Sequence, residues 1–141
     1  MGVRLLALTI LFLPAAAAAD IADTCYTACE TSTTSNPEFK ACLARAADKA
    51  DRTLNDGYKA LQAAIRATAK DIGQSADLQM KSLASAQKKW IAYRDANCTF
   101  EDELAFGGSS IGGNYSACLC ALSLSRAEDF ARVRKHVLFA E

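Results

Sequence analysis

Six cysteines, Cys25, Cys29, Cys42, Cys98, Cys118 and Cys120, carry most of the chemistry open to this chain. Cysteines in this number either ligate a metal or oxidise in pairs. A closed zinc site needs four Cys or His ligands at suitable spacing. The lone histidine, His136, is far in sequence from every cysteine, so the disulfide reading stands ahead of the metal reading, and no metal or cofactor is expected. An even cysteine count in an exported chain is itself the mark of a disulfide framework. Catalysis is not expected either. No serine or cysteine nucleophile stands in a recognisable motif with His136, which reads as a solvated histidine near a helix end. The stretch FGGSSIGGN at 106–114 lacks the Gly-Lys-Ser/Thr ending of a phosphate-binding loop.

Three charged residues fall on or beside apolar stripes. Asp51 precedes Leu54 and Tyr58 by three and seven residues, Arg94 follows Trp90 by four, and Arg126 lies between Leu122 and Phe130. Removing one partner of a buried ion pair costs about 3–5 kcal/mol, so charges facing a core should be paired. The expectation is a structural ion network of Asp51, Arg94 and Arg126, with Asp51 at least partly buried against one of the two arginines. Trp90 reads as core. The acidic run Glu101, Asp102 and Glu103 leads into the glycine loop, where Ser109, Ser110 and Asn114 offer hydrogen bonds and Ile111 an apolar contact. Loops held on rigid scaffolds are where binding surfaces concentrate. These seven residues are the candidate partner-binding set.

The elements that must position these groups are helical. Residues 1–19 read as a cleaved signal peptide: Arg4, an apolar run over 5–13, Pro14, and Ala17, Ala18 and Ala19 before Asp20. That run is shorter than the roughly 20 residues a membrane span needs, so no stable insertion is expected after cleavage. Residues 20–141 then form one domain, periplasmic or secreted. Loss of Arg4 reduces Lys+Arg from 16 to 15 against 16 Asp+Glu, a net charge of −1. A nucleic-acid binder would show a basic excess; none is expected here. Leu43, Ala47, Ala50, Leu54, Tyr58, Leu61 and Ile65 recur at helical steps. So do Leu83, Ala86, Trp90 and Tyr93, and, further on, Leu119, Leu122, Phe130, Val133 and Val137. Asn36 as cap, Pro37 and Glu38 mark one start; Gly73 and Ser75 mark a stop and the next start. The predicted helices are 20–31, 37–70, 76–100 and 115–137. The fold class is all-α: a disulfide-stapled antiparallel helical bundle with two long helices and a C-terminal helix.

Three phrases give a resemblance. The first is Ala50-Asp51-Arg52-Thr53-Leu54-Asn55 with Tyr58 and Leu61. The second runs from Ala86-Gln87 through Trp90, Tyr93, Arg94 and Asp95 to Cys98. The third is Cys98-Thr99-Phe100-Glu101, the glycine loop, Cys118, Ser123 and Arg126. Together they resemble the lysozyme inhibitor LprI-like family of exported bacterial proteins, from about residue 29 to 130. The family pattern and closure of the glycine loop point to a Cys98–Cys118 disulfide. Cys29–Cys42 would then staple the N-terminal segment, leaving Cys25 for Cys120, although Cys25 and Cys29 can exchange roles. The resemblance implies a binding protein with lysozyme as partner. Many lysozymes are basic and work with two carboxyl groups in an open cleft, so an acidic rim would favour encounter and the loop could enter the cleft. The alternative is an envelope interaction or stress module whose partner is another envelope or secreted protein.

Overall fold

The structure is a computed structural model that describes residues 19–138, with side chains from Cys25 onward. The expected signal peptide therefore lies outside the described residues, apart from Ala19. Four helices make up the described chain: α1 (Ala19–Glu30), α2 (Asn36–Asp71), α3 (Asp77–Glu103) and α4 (Gly113–Leu138). Among the described residues there is no strand, and no helix is long and apolar enough to cross a membrane.

The start of α2 shows how local chemistry sets a boundary. Ser35, in extended backbone at φ −138°, is the cap, and its hydroxyl accepts from the Glu38 N–H at 3.4 Å. Pro37 follows in the first turn, where its missing N–H costs nothing. The expected cap, Asn36, is one residue too late, and its side chain serves another purpose described below. Glu38 completes a reciprocal arrangement: its carboxylate accepts from the Thr34 N–H at 3.2 Å and the Thr34 hydroxyl at 3.1 Å. The bond from the Thr34 backbone, then those from the Thr34 and Ser35 side chains, hold this exposed carboxyl below its ordinary value. At the other end Gly73, at φ 69°, takes the left-handed conformation just past the helix. The Ser75 hydroxyl accepts from the Asp77 N–H at 3.1 Å, although Ala76 occupies the cap position of α3.

α3 runs antiparallel to both α2 and α4, yet the main packing pair is not successive. α2 and α4 lie against each other along their lengths, while α3 rests on α4 and barely touches α2. Gly113 meets Leu43 and Lys40 at the start of this contact, Gly57 meets Ala127 midway, and Thr68 reaches the Val137 carbonyl at its end. Position numbers rise together, so α2 and α4 are parallel, joined by α3 as the return stroke. The core has two parts. Near the disulfides it consists of Cys25, Ala47, Ala50 and Cys120; further along it consists of Leu54, Leu61 and Phe130, with Tyr58, Ile65, Leu83, Trp90, Val133 and Val137 against them. The α2 stripe read from the sequence is buried, with Tyr58 and Ile65 partly so; of the α4 stripe Phe130 is buried, and Leu119, Leu122, Val133 and Val137 are partly buried.

The α3 stripe is different. Ala86 and Tyr93 are exposed, whereas Gln87 and Cys98 are buried. The inward face is Leu83, Gln87, Trp90, Arg94 and Cys98, rotated from the apolar reading because two of its members are polar. A polar group faces inward at low cost when its bonds are satisfied, and among the described residues no buried side-chain N or O atom is left without a partner.

Candidate partner-binding surface

Arg94 sits where three helices meet. Its guanidinium donates to Asp51 of α2 at 3.0 Å, to the buried Ser123 hydroxyl of α4 at 3.2 Å, and to neighbouring Asp95 at 2.9 Å. It also lies 5.4 Å over the Trp90 ring. Only 12% of the Arg94 side chain is exposed, against 50% for Asp51. Asp51 is therefore partnered but half in water. Arg126 does not join this pair. It donates to Gln87 at 3.4 Å, stands 3.7 Å from Asp129, and covers the Phe130 and Trp90 rings at 4.7 and 5.7 Å. The expected three-membered network is thus two adjacent clusters that share Trp90, both cations within about 6 Å of one indole. Gln87, Asp95, Ser123 and Asp129 belong to them; the first three entered the sequence reading only within the family phrases, and Asp129 not at all. Every group is turned to a structural neighbour, and nothing here has the geometry of a nucleophile with its base.

Three disulfides gather about one helical turn from Arg94, toward the loop: Cys25–Cys120, Cys29–Cys42 and Cys98–Cys118, with S–S distances of 2.10, 2.00 and 1.99 Å. No cysteine among the described residues is free, and no group of three His, Cys, Asp or Glu side chains there is placed to hold a metal ion. The loop they frame lies two residues earlier than the 106–114 stretch read from the sequence. α4 begins at Gly113, so Asn114 lies in its first turn and the irregular part is 104–112.

The acidic run divides by role. Asp102 turns inward, one carboxylate oxygen accepting from the Gly112 N–H at 2.7 Å and the Tyr115 N–H at 3.1 Å. It caps α4 from the last turn of α3, satisfying N–H groups the helix cannot bond itself and placing negative charge at the positive end of the helix dipole. This capping role is one the sequence did not indicate, and it engages one of the two carboxylate oxygens. Glu101 accepts from the Asn97 amide at 2.8 Å and remains exposed, as does Glu103. Asn36 donates to the Ser109 carbonyl at 3.1 Å, tying the loop to α2.

Two hollows flank the loop. A groove of about 500 Å³ is lined by Tyr26, Glu101, Leu104, Asn114, Ala117 and Leu122, among others. A smaller one of about 150 Å³ lies between Tyr26, Asn36, Lys40, Ser109, Ser110 and Asn114. Tyr26, braced edge-on by Phe39 at 4.9 Å, is the wall between them. Ile111 is exposed at the loop's edge. Phe106 was not singled out from the sequence. It is 90% exposed and sits at φ 46°, a conformation rare for a bulky residue. Its signal was available: an aromatic residue immediately before Gly107 and Gly108 in a loop with no other large ring.

Comparison with known proteins gives a family. The family model described as "Lysozyme inhibitor LprI" matches residues 27–130. The chain belongs to the lysozyme inhibitor LprI family. The match spans all six paired positions except Cys25, together with the Arg94 clusters and the loop. The chain is also similar to the uncharacterized protein R02472 of Rhizobium meliloti (strain 1021), at 35% identity over 83 residues. That stretch is 57% of this chain and 60% of the relative, so the chain matches well under two thirds of the relative's length. No solved structure matches it.

Proposed function

We propose that this protein is an exported inhibitor that binds lysozyme and blocks its cleft, using the surface around 101–114 and doing no chemistry itself. Membership of the LprI family supports lysozyme as the partner, and three disulfides among the described residues suit an oxidising compartment outside the cytoplasm. The observation that carries the choice of surface is the loop's preorganisation. Cys98–Cys118 closes its base, Asp102 bonds both sides of its C-terminal junction, and Asn36 ties its middle to α2. A segment already ordered loses little conformational freedom on binding. Held this way, it presents Phe106 and Ile111 as apolar contacts beside the polar hollow of Ser109, Ser110 and Asn114. Aromatic residues in such positions supply a large share of binding energy at interfaces. Glu101 and Glu103 supply the acidic rim, which acts mainly on association rate and fades as salt rises.

The test is hydrolysis of cell-wall substrate by basic lysozymes, with and without the purified oxidised protein. Inhibition is expected, falling with salt. Phe106→Gly should weaken it by tenfold or more, about 1.4 kcal/mol, without loss of thermal stability, because glycine accepts positive φ freely. Joint replacement of Ser110 and Ile111 should act in the same direction. Full lysozyme activity at a large molar excess of the protein ends this reading and leaves the envelope interaction module with a different partner.

A further inference from the structure

The outer face of α3 faces away from its own bundle. On a helix turning about 100° per residue, Lys89, Tyr93, Phe100 and Glu103 all fall within about 60° of Ala96, while buried Gln87 and Cys98 lie about 180° away. Tyr93 and Phe100 are 58% and 57% exposed, and Ala92 and Ala96 beside them are exposed as well. Large rings this far out of the core on a helix face are the usual content of an interface centre. The charges at the two ends identify the occupant. Lys89 stands seven residues before Ala96 and Glu103 seven residues after it, both exposed on this face, about 21 Å apart at 1.5 Å per residue.

A face with a cation at one end, an anion at the other and an apolar centre is complementary to itself under a two-fold rotation. We propose that the protein forms a symmetric dimer in which the α3 helices of two copies pack antiparallel through Tyr93, Ala96 and Phe100. Lys89 of each copy then meets Glu103 of the other, and the rings close over Ala96, whose small side chain lets the helices approach. This is the isologous arrangement of most homodimers. It requires neither the loop nor lysozyme; Glu103 alone is shared with the acidic rim of the inhibitor reading, and association measured without lysozyme tests the dimer separately.

Sedimentation equilibrium of the oxidised protein over a wide concentration range tests it. A monomer–dimer equilibrium that weakens with salt is expected. K89E and E103K should each weaken dimerisation on the order of tenfold by setting like charges together, and the double variant K89E/E103K should recover it. Y93S/F100S should abolish it, with an unchanged helical spectrum showing that the fold persists. A protein that stays monomeric up to about 1 mM, a concentration that would populate even a very weak complex, overturns the proposal. So does a dimer indifferent to these substitutions, or one that the double charge swap leaves no better than either single change.

Discussion

The two ends of the bundle are held together by different means. At the end bearing the loop, Leu43 is buried beside Gly113, but the buried cluster is otherwise cysteines and alanines, Cys25, Ala47, Ala50 and Cys120, with three disulfides nearby. At the other end no disulfide occurs among the described residues, and Leu54, Leu61 and Phe130 pack with aromatic and branched neighbours, Trp90 among them, while Arg94 and Arg126 lie between the two ends. Small side chains let α1 and the start of α4 approach α2 closely but bury little apolar surface, and burial is the main stabilising term. Covalent bonds substitute for it by restricting the unfolded chain. The difference teaches that the loop end is built for fixed geometry and the far end for bulk stability.

Removing Cys25–Cys120 should have the largest effect. The bridge spans 95 positions, and replacing both cysteines by serine should cost about 4 kcal/mol on chain-entropy grounds, read by denaturant unfolding. Hydrogen exchange sharpens the contrast. Amides of α1 and of 104–112 should lose protection first, while those around Leu61 and Phe130 keep it; uniform loss would break the comparison. Phe130→Ala, striking the other end, should cost about 3–4 kcal/mol through the cavity it leaves and should open both ends together.

Arg94→Ala comes next, at about 2 kcal/mol, because it strands the buried Ser123 hydroxyl. Arg94→Lys should recover only part of that, since a point charge cannot replace a planar fork. Asp51→Ala should cost about 1 kcal/mol, as befits a partner half in water. This is well below the buried-pair cost expected from the sequence. A loss of 3 kcal/mol or more would mean that Asp51 is as enclosed as Arg94.

The smallest effect belongs to Glu38. Its folded carboxyl lies below the ordinary 4.5, chiefly through the Thr34 N–H. A depressed carboxyl contributes stability that is present above its unfolded value and is lost as pH falls through its folded value. Glu38→Gln should therefore lower thermal stability slightly at neutral pH, and the difference from the parent should vanish in acid. A difference that persists below both values would sink this account.

Much of the fold was legible because α2 repeats apolar residues at three and four, and few other structures satisfy Leu43 through Ile65 with that spacing. The inward face of α3 was not, since Gln87 and Arg94 carry no apolar signal and their burial depends on partners supplied by other helices. Cys25 and Cys29 lie four apart on one helical face, so only the positions of α2 and α4 against α1 determine which takes Cys42 and which takes Cys120. The capping role of Asp102 was not legible for a similar reason. An aspartate in an acidic run looks solvated until the next helix is known to begin beneath it. Phe106 could have been noted as the ring before Gly107 and Gly108, but its exposure and positive φ are properties of the folded backbone.

The order of the three bridges along the chain has a consequence for damage. Cys29–Cys42 and Cys98–Cys118 are each closed within the span of Cys25–Cys120, like brackets inside a larger pair. A single backbone cut anywhere between Cys25 and Cys120 therefore leaves the two fragments in one covalent molecule. Within 99–117, which holds the exposed loop a protease would reach first, two bridges rather than one keep the halves together. A nicked molecule would migrate as intact under non-reducing conditions and separate into two pieces only after reduction, so the loop can be severed without the molecule coming apart.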